Sequence, residues 1–393
     1  MTHQPVAITG MGCLCAAGKN LNECLDSMFR GVRDPRPPEG FFTNHPVRYP
    51  VFEVRDFTEP PELLRTAALG LQAAREALAD AGLDRAFLDN LRVGVCVGTT
   101  VGCAVTEETF CRAYRTGKLP DMTPMARIFR SNPALAIARE YGFSGPCQTI
   151  VNACSSGTDA VGVGASWIRS GLCDVVLAGG ADELGRITYI GFIALQITDE
   201  APCKPFDLGR KGLNLGEGAA MLVLESDQVR QRRAKPARAF VTGYGSACDA
   251  YHLTTPKPDG AGLKSALAEA LASGAAGPAD IAFVNAHGTG TPDNDRVESR
   301  VLTHVLPGVP YLSTKGYTGH TLGAAGAIEA VFTAACLELG KIPANAGFRT
   351  PDPDLPGAPA AEPSPVRGSM ALSETLAFGG SNSVIMLGQG ERR

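Results

Sequence analysis

Three residues in this sequence sit in settings suited to making bonds. Cys154 lies in Asn152-Ala153-Cys154-Ser155-Ser156-Gly157, where the short apolar run Thr149-Ile150-Val151 gives way to small residues leading into a glycine-rich helical segment. A thiol at such a strand-to-helix turn lies near unpaired backbone N–H groups and the positive end of a helix dipole, which lower its pKa. Its small neighbours leave the sulfur open to attack a carbonyl. A cysteine taken alone is ordinarily a buried structural thiol, but two histidines stand in equally glycine-rich settings. His287 follows an apolar run and precedes Gly288-Thr289-Gly290-Thr291-Pro292, and His320 ends Ser313-Thr314-Lys315-Gly316-Tyr317-Thr318-Gly319-His320. His3, His45 and His304 lie in polar or irregular surroundings, which predicts solvated rings.

Other chemistries fit less well. A metal held by Cys154, His287 and His320 lacks a local chelating pair such as H-x-x-x-H, and Lys315 would repel a cation, so no metal is expected. No G-x-G-x-x-G follows a strand, and neither G-x-x-x-x-G-K-[ST] nor G-x-S-x-G is present. A cysteine protease would leave the second histidine and Lys315 without a role.

The elements that must position these residues alternate between strand and helix. Residues 5–12 and 93–98 read as buried strands, 21–29 and 62–81 as helices with apolar residues at helical spacing, and 174–180 as a further strand. Residues 34–61, rich in proline and aromatics, read as irregular. Past the charged segment 227–235 the pattern begins again. Phe240-Val241-Thr242-Gly243-Tyr244-Gly245 echoes Ala7-Ile8-Thr9-Gly10-Met11-Gly12, residues 281–287 stand where 93–98 stood, and His320 opens an apolar helix as Cys154 did. Residues 383–388 close the chain as 174–180 closed the first half. This predicts α/β halves with largely parallel sheets, divided at 1–230 and 231–393, and a site between them.

Composition fits a globular chain of 393 residues, 44% hydrophobic and 19% charged. A net charge of −4 with no basic block argues against a nucleic-acid partner. Twelve cysteines without C-x-x-C suggest reduced thiols in a cytoplasm, and the N-terminus lacks the basic start of a signal peptide. The apolar stretch 322–339 carries Glu329 and Glu338, so no membrane span is expected.

The ordered set Asn152-Ala153-Cys154-Ser155-Ser156-Gly157, Asn285-Ala286-His287-Gly288-Thr289-Gly290-Thr291-Pro292, Lys315 through Gly319-His320-Thr321-Leu322-Gly323-Ala324-Ala325-Gly326, and Phe378-Gly379-Gly380-Ser381-Asn382 resembles the β-ketoacyl-acyl-carrier-protein synthases. These are thiolase-fold condensing enzymes, and the likeness is strongest to the elongating type called synthase II. The resemblance implies a thiolase-like α/β fold whose duplicated halves form a layered α-β-α-β-α sandwich. It implies that Cys154 takes the acyl chain from a carrier thioester. His287 and His320 would drive decarboxylation of a malonyl thioester, with Lys315 and Glu329 orienting them. The backbone N–H groups of Cys154 and Phe378 would form the oxyanion hole. Thr289 and Thr291 would hydrogen-bond the pantetheine arm, although turn capping explains them equally well. Phe378 and Phe192 would gate the acyl pocket. No resident cofactor is implied, because 4'-phosphopantetheine arrives with the acyl carrier protein.

An asparagine stands at the place of His320 in initiating synthases, and chain-length partner subunits lack the cysteine, so this chain reads as catalytically complete. A chain-length-factor-like subunit and a thiolase acting on coenzyme A thioesters are the alternatives. The expected assembly is a homodimer, or a heterodimer with a related subunit. Three departures from the family pattern stand out. Ala377 replaces a glycine before Phe378, which predicts a stiffer gating loop. Only Arg65 remains of a basic pair, and Gln196 occupies a place where an arginine often meets the carrier. The cationic patch for an acidic carrier is then expected at Lys204, Arg210 or Lys211. The pathway is fatty acid elongation or a specialised polyketide or polyene assembly.

Overall fold

A computed structural model describes residues 4–102, 108–119 and 121–391. Its strands are β1 Val6–Cys15, β2 Val93–Gly98, β3 Cys147–Ile150, β4 Val175–Asp182, β5 Gly218–Glu225, β6 Ala239–Cys248, β7 Ile281–Asn285, β8 Tyr311–Leu312, β9 Lys341–Ile342, β10 Ser364–Pro365, β11 Met370–Ala377 and β12 Ser381–Gln389. Strands β9 and β10 form a small separate pair, and the others run in the order β3-β2-β4-β5-β1-β6-β12-β11-β7-β8. Read outward from the centre, β1-β5-β4-β2-β3 matches β6-β12-β11-β7-β8 place for place. The duplication suggested by the sequence echoes is therefore present in the topology. The halves join at β1 and β6, where Val6, Ala7 and Ile8 pair with Val241, Phe240 and Ala239.

The layers follow from which helix faces are apolar. The helices Ser156–Arg169 and Ala325–Leu339 share one core with residues of both half-sheets, including Ile8, Val176, Leu222, Val241 and Ile385. They form the middle layer. The helix Arg65–Ala81 packs on the outer face of the first half-sheet, and Ala261–Ser273 on that of the second. This is the expected α-β-α-β-α sandwich. Strands covered on both faces read as unbroken apolar runs, as β4 and β5 do. The stretch Leu322–Leu339 is long and apolar enough to cross a membrane by composition, yet 89% of it is buried inside the protein. It is a core helix.

The repeated Thr-Gly-x-Gly motif has a packing cause. A Cβ at Gly10 or Gly12 would lie 2.2 Å from the carbonyl oxygens of Ala77 and Ala73, and one at Gly243 or Gly245 would lie 2.2 Å from those of Ala270 and Ala266. Each outer helix thus rests directly on the backbone of β1 or β6. The two middle helices also approach closely at their starts. A Cβ on Gly157 would lie 2.8 Å from the Ala327 nitrogen, and one on Gly326 would lie 2.8 Å from the Thr158 nitrogen.

Two expectations need correction. The sheet is mixed, not largely parallel: β2 pairs in parallel with β3 and β4, and β7 with β8 and β11, while the strands nearer the centre are antiparallel. Parallel neighbours need a helix that carries the chain back over the sheet. Between β4 and β5 the helix Arg186–Ala194 turns to the functional pocket instead, and β11 joins β12 through the tight turn Phe378–Gly380. Second, β4 corresponds to β11, not to the final strand; β12 is the counterpart of β5. Strand β11 escapes the apolar pattern because Ser373, Glu374 and Thr375 are polar and fully buried.

The contact between the middle helices gives a stability test. Gly157→Ala places a methyl group against backbone that cannot yield. Equilibrium denaturation is expected to show a loss of about 1–3 kcal/mol, and a variant as stable as the parent would contradict the close crossing.

Candidate active site

Cys154 is held at a strained elbow. Ala153, just before it, has φ +47°, a left-handed conformation unfavourable for a residue with a Cβ. Polar contacts compensate. The Thr100 hydroxyl donates to the Ala153 carbonyl at 2.9 Å, the Ser156 hydroxyl to the same oxygen at 2.6 Å, and the Asn152 N–H to Ser156 Oγ at 2.8 Å. Asn152 Nδ2 reaches Asp159 at 2.7 Å and Ser381 at 2.8 Å, which ties the elbow to the second half of the molecule. The helix begins at Ser156.

His287 ends the run that follows β7. Its backbone N–H and that of Gly288 both donate to Glu298, the latter at 2.7 Å. Its Nδ1 faces Lys315 Nζ at 3.0 Å, and the same ammonium pairs with Glu329. All of these side chains are buried. The Lys315–Glu329 pair is therefore more than a plain ion pair, because its cation also grips an imidazole. His320 is fixed from another direction: the Leu322 N–H donates to its Nδ1 at 3.1 Å. The two rings meet edge to face with centroids 5.2 Å apart.

These contacts settle the chemistry of the imidazoles. Burial, the Lys315 ammonium and the neighbouring ring hold His287 well below the ordinary histidine range; burial and Lys315 do the same to His320. Both rings are neutral near pH 7. A neutral ring whose Nδ1 accepts a hydrogen bond carries its hydrogen on Nε2. Each ring thus offers one Nε2–H donor.

Cys154, His287 and His320 line one cavity of about 290 Å³, together with Thr289, Thr291, Phe192 and Phe378. The Phe192 and Phe378 rings stack at 5.5 Å, 18° from parallel. Thr289 and Thr291 share a hydroxyl–hydroxyl bond of 2.8 Å. Thr291 precedes the helix Pro292–Val305, but its side chain makes no capping bond, which removes the capping explanation for it. Lys315 and Glu329 lie behind the histidines and do not line the cavity. His304 is exposed and His45 half-buried, while His3 lies outside the described residues.

Several expectations about the site change. Burial pushes the Cys154 thiol up to about 11, against the opposing pull of the Lys315 ammonium and the Phe378 N–H. The expected lowering is outweighed because the sulfur is almost wholly removed from water. Ala377 is extended, with φ −120° and ψ 153°, so it needs none of glycine's freedom; the left-handed positions are Gly379 and Gly380. Arg65 is spent on Glu217 and Glu59. Arg210 is buried and paired with Asp352 and Asp295, so it supplies no docking charge. Lys204 does not line the cavity, whereas exposed Lys211 and Gln196 do.

Sequence reasoning missed the buried acids that brace the site. Glu298 holds the His287 turn. Asp182 accepts from Thr99 Oγ1 at 2.6 Å and from the Gly323 N–H at 2.6 Å, joining the two halves behind the cavity. Burial pushes Asp182 up to about 6 and Glu329 up to about 7. Acids in helices and strand ends look like ordinary surface residues until the fold encloses them. Every cysteine among the described residues is a free thiol. The sulfurs of Cys13, Cys15 and Cys24 cluster within 4.8 Å and line no part of this cavity.

Known proteins share this architecture. The model of the β-ketoacyl synthase N-terminal domain matches residues 56–229, and that of the C-terminal domain matches residues 238–349. The chain is 35% identical to the tetracenomycin polyketide synthase ketoacyl synthase alpha subunit of Streptomyces glaucescens, over 89% of this chain and 88% of that one. It is 32% identical to 3-oxoacyl-[acyl-carrier-protein] synthase 2 of Staphylococcus aureus, over 98% of each chain. Among solved structures, the ishigamide ketosynthase/chain length factor superposes with a TM-score of 0.92 at 31% identity, covering 99% of this chain and 100% of that one. A type II polyketide synthase acyl-carrier protein in complex with its ketosynthase gives a TM-score of 0.90 at 27% identity, covering 99% and 100%. From its sequence over nearly its full length and from its duplicated, layered architecture, the chain belongs to the β-ketoacyl synthase family.

Proposed function

We propose that this chain condenses an acyl group, carried on Cys154, with a malonyl group on an acyl carrier protein to give a β-ketoacyl-carrier protein. The observation that carries this reading is a buried thiol and two buried imidazoles lining one cavity, with Lys315 against the Nδ1 of His287. The Cys154 sulfur attacks the acyl thioester, the carbonyl–sulfur bond to the carrier breaks, and the carrier thiol leaves with the proton. The backbone N–H groups of Cys154 and Phe378 stabilise the oxyanion. The malonyl thioester then binds with its carbonyl oxygen at the Nε2–H donors of His287 and His320. Loss of carbon dioxide leaves an enolate on that oxygen, and its carbon attacks the acyl carbonyl; the bond to Cys154 breaks, and the released thiolate takes a proton from water. Lys315 and Glu329 orient His287, Thr289 and Thr291 hold the pantetheine arm, and Phe192 with Phe378 closes on the acyl chain. These steps move electron pairs without redox change, so the pantetheine brought by the carrier is the one prosthetic group the reaction calls for.

The carrier docks at the cavity mouth, where Lys211 offers an exposed cation. The product feeds fatty acid elongation or a polyketide or polyene chain, and the free thiols suit a cytoplasmic enzyme. A non-elongating partner subunit or a thiolase is disfavoured by the presence of Cys154 with both histidines. We further assign a dimer through the edge of β3. Among the described residues that strand pairs only with β2, Cys147 and Gln148 are exposed, and Val151 is 66% exposed. Such an unpaired edge is a template for a second chain. The partner is a second copy, and a related chain-length subunit is the other outcome.

Three tests follow. Intact-protein mass spectrometry after incubation with an acyl-carrier protein should show acylation that Cys154→Ala abolishes; His320→Ala should still load but release carbon dioxide about 10²–10³-fold more slowly. Retained decarboxylation in His320→Ala would overturn the role of that ring. Nitrogen NMR should find both His287 and His320 neutral at pH 6.5, the ordinary histidine value, and a cationic ring at that pH would contradict the donor assignment. Sedimentation should give the mass of two chains, and Val151→Glu should shift it toward one; a monomeric parent would remove the edge-pairing assignment.

A further inference from the structure

Glu374 in β11 is fully buried, and among the described residues neither carboxyl oxygen receives a hydrogen bond from an N–H or O–H donor. An ionised carboxylate without donors is costly to bury. Glu374 lies one residue past the Ser373–Asn285 pair of β11 and β7, beside the His287 turn held by another acid, Glu298, from the helix Pro292–Val305. Two carboxylates cannot face each other in the interior unless a proton lies between them.

The two acids differ in what else they touch. Burial raises Glu298 as well, but it accepts from the backbone N–H groups of His287 and Gly288 and from Asn294 Nδ2, which favour its ionised form. Glu374 has no such donors, so the proton belongs to Glu374. The charged groups facing Glu374 are Glu298, Glu329 from the middle helix Ala325–Leu339, and Lys315; β7 and β12, the strands on either side, contain no titratable residue. Burial, Glu298 and Glu329 all push Glu374 well above the ordinary carboxylate range, with Lys315 opposing.

We propose that Glu374 is a positioning residue: it keeps a proton, donates it to Glu298, and so lets Glu298 grip the backbone of the His287 turn as a carboxylate. Removing that proton sets two buried anions against each other. Glu298 must then move or take up a proton, and the His287–Gly288 turn loses its anchor. The ring would swing relative to Lys315 and to the bound malonyl group. This inference rests on the role given to His287 above, while the presence of the proton can be tested independently.

The experiment uses the full chain and the malonyl-carrier decarboxylation assay over a pH series. Glu374→Gln keeps an N–H donor toward Glu298. It should stay within about twofold of the parent near neutral pH and lose the fall in rate expected of the parent on the alkaline side. Glu374→Met keeps the bulk and removes the donor. It should lower kcat about tenfold or more with KM little changed, while Cys154 still loads. Infrared difference spectra should show the carbonyl stretch of a protonated carboxylic acid in the parent, absent in Glu374→Gln. If Glu374→Met does not fold, the Gln variant and the spectra still decide. The proposal fails if that band is missing from the parent, or if Glu374→Gln keeps the parent's alkaline decline. A band that is present while Glu374→Met decarboxylates at the parental rate would refute the positioning role. A His287→Ala variant that decarboxylates at the parental rate would instead refute the mechanism assigned to that ring.

Discussion

One ammonium group sets the state of the site. Lys315 is buried with Glu329 on one side and the Nδ1 of His287 on the other. A cation there makes a second positive charge on either imidazole unfavourable, and it fixes which nitrogen of His287 carries the hydrogen. Breaking a buried ion pair by removing one partner is far more damaging than replacing both. Losing Glu329 would leave the ammonium without its counter-charge, and losing Lys315 would free His287 to change tautomer. Bulk solvent could not hold this arrangement, because water would screen the charge and offer either ring an alternative partner.

The fold brings these groups together through symmetry. Each half presents the start of its middle helix at the interface, and glycines there let the two helices approach backbone to backbone. One helix start follows the elbow of Cys154; the other follows His320. His287 comes from the end of β7, the second-half counterpart of β2, and Phe378 from the turn between β11 and β12. Asp182 and Asp159 then cross-link the halves with short polar contacts. The strain at Ala153 is tolerable because Thr100 and Ser156 hold its carbonyl and Ser381 of the second half holds its neighbour Asn152.

Much of this was legible in the chain itself. The Cys154, His287 and His320 segments kept their residue types and order, and the Thr-Gly-x-Gly echo marked the duplication because the cause is local: a helix resting on strand backbone. Strand directions were not legible, since they depend on whether a connecting helix returns across the sheet or is diverted, as Arg186–Ala194 is. Strand β11 was hidden because its centre, Ser373-Glu374-Thr375, serves the site instead of the apolar core. The bracing acids Glu298, Asp182 and Glu374 were also hidden, since only enclosure separates them from surface carboxylates. The Cys154 thiol was misjudged for a related reason: a helix N-terminus can be read from sequence, whereas the removal of water around the sulfur cannot.

The stacked pair of Phe192 and Phe378 stands beside the same small cavity that gives access to the thiol and both imidazoles. A group bound at the thiol and a group bound at the imidazoles would share this one lining. A change at either aromatic ring therefore bears on both approaches at once, and neither can be reshaped without the other.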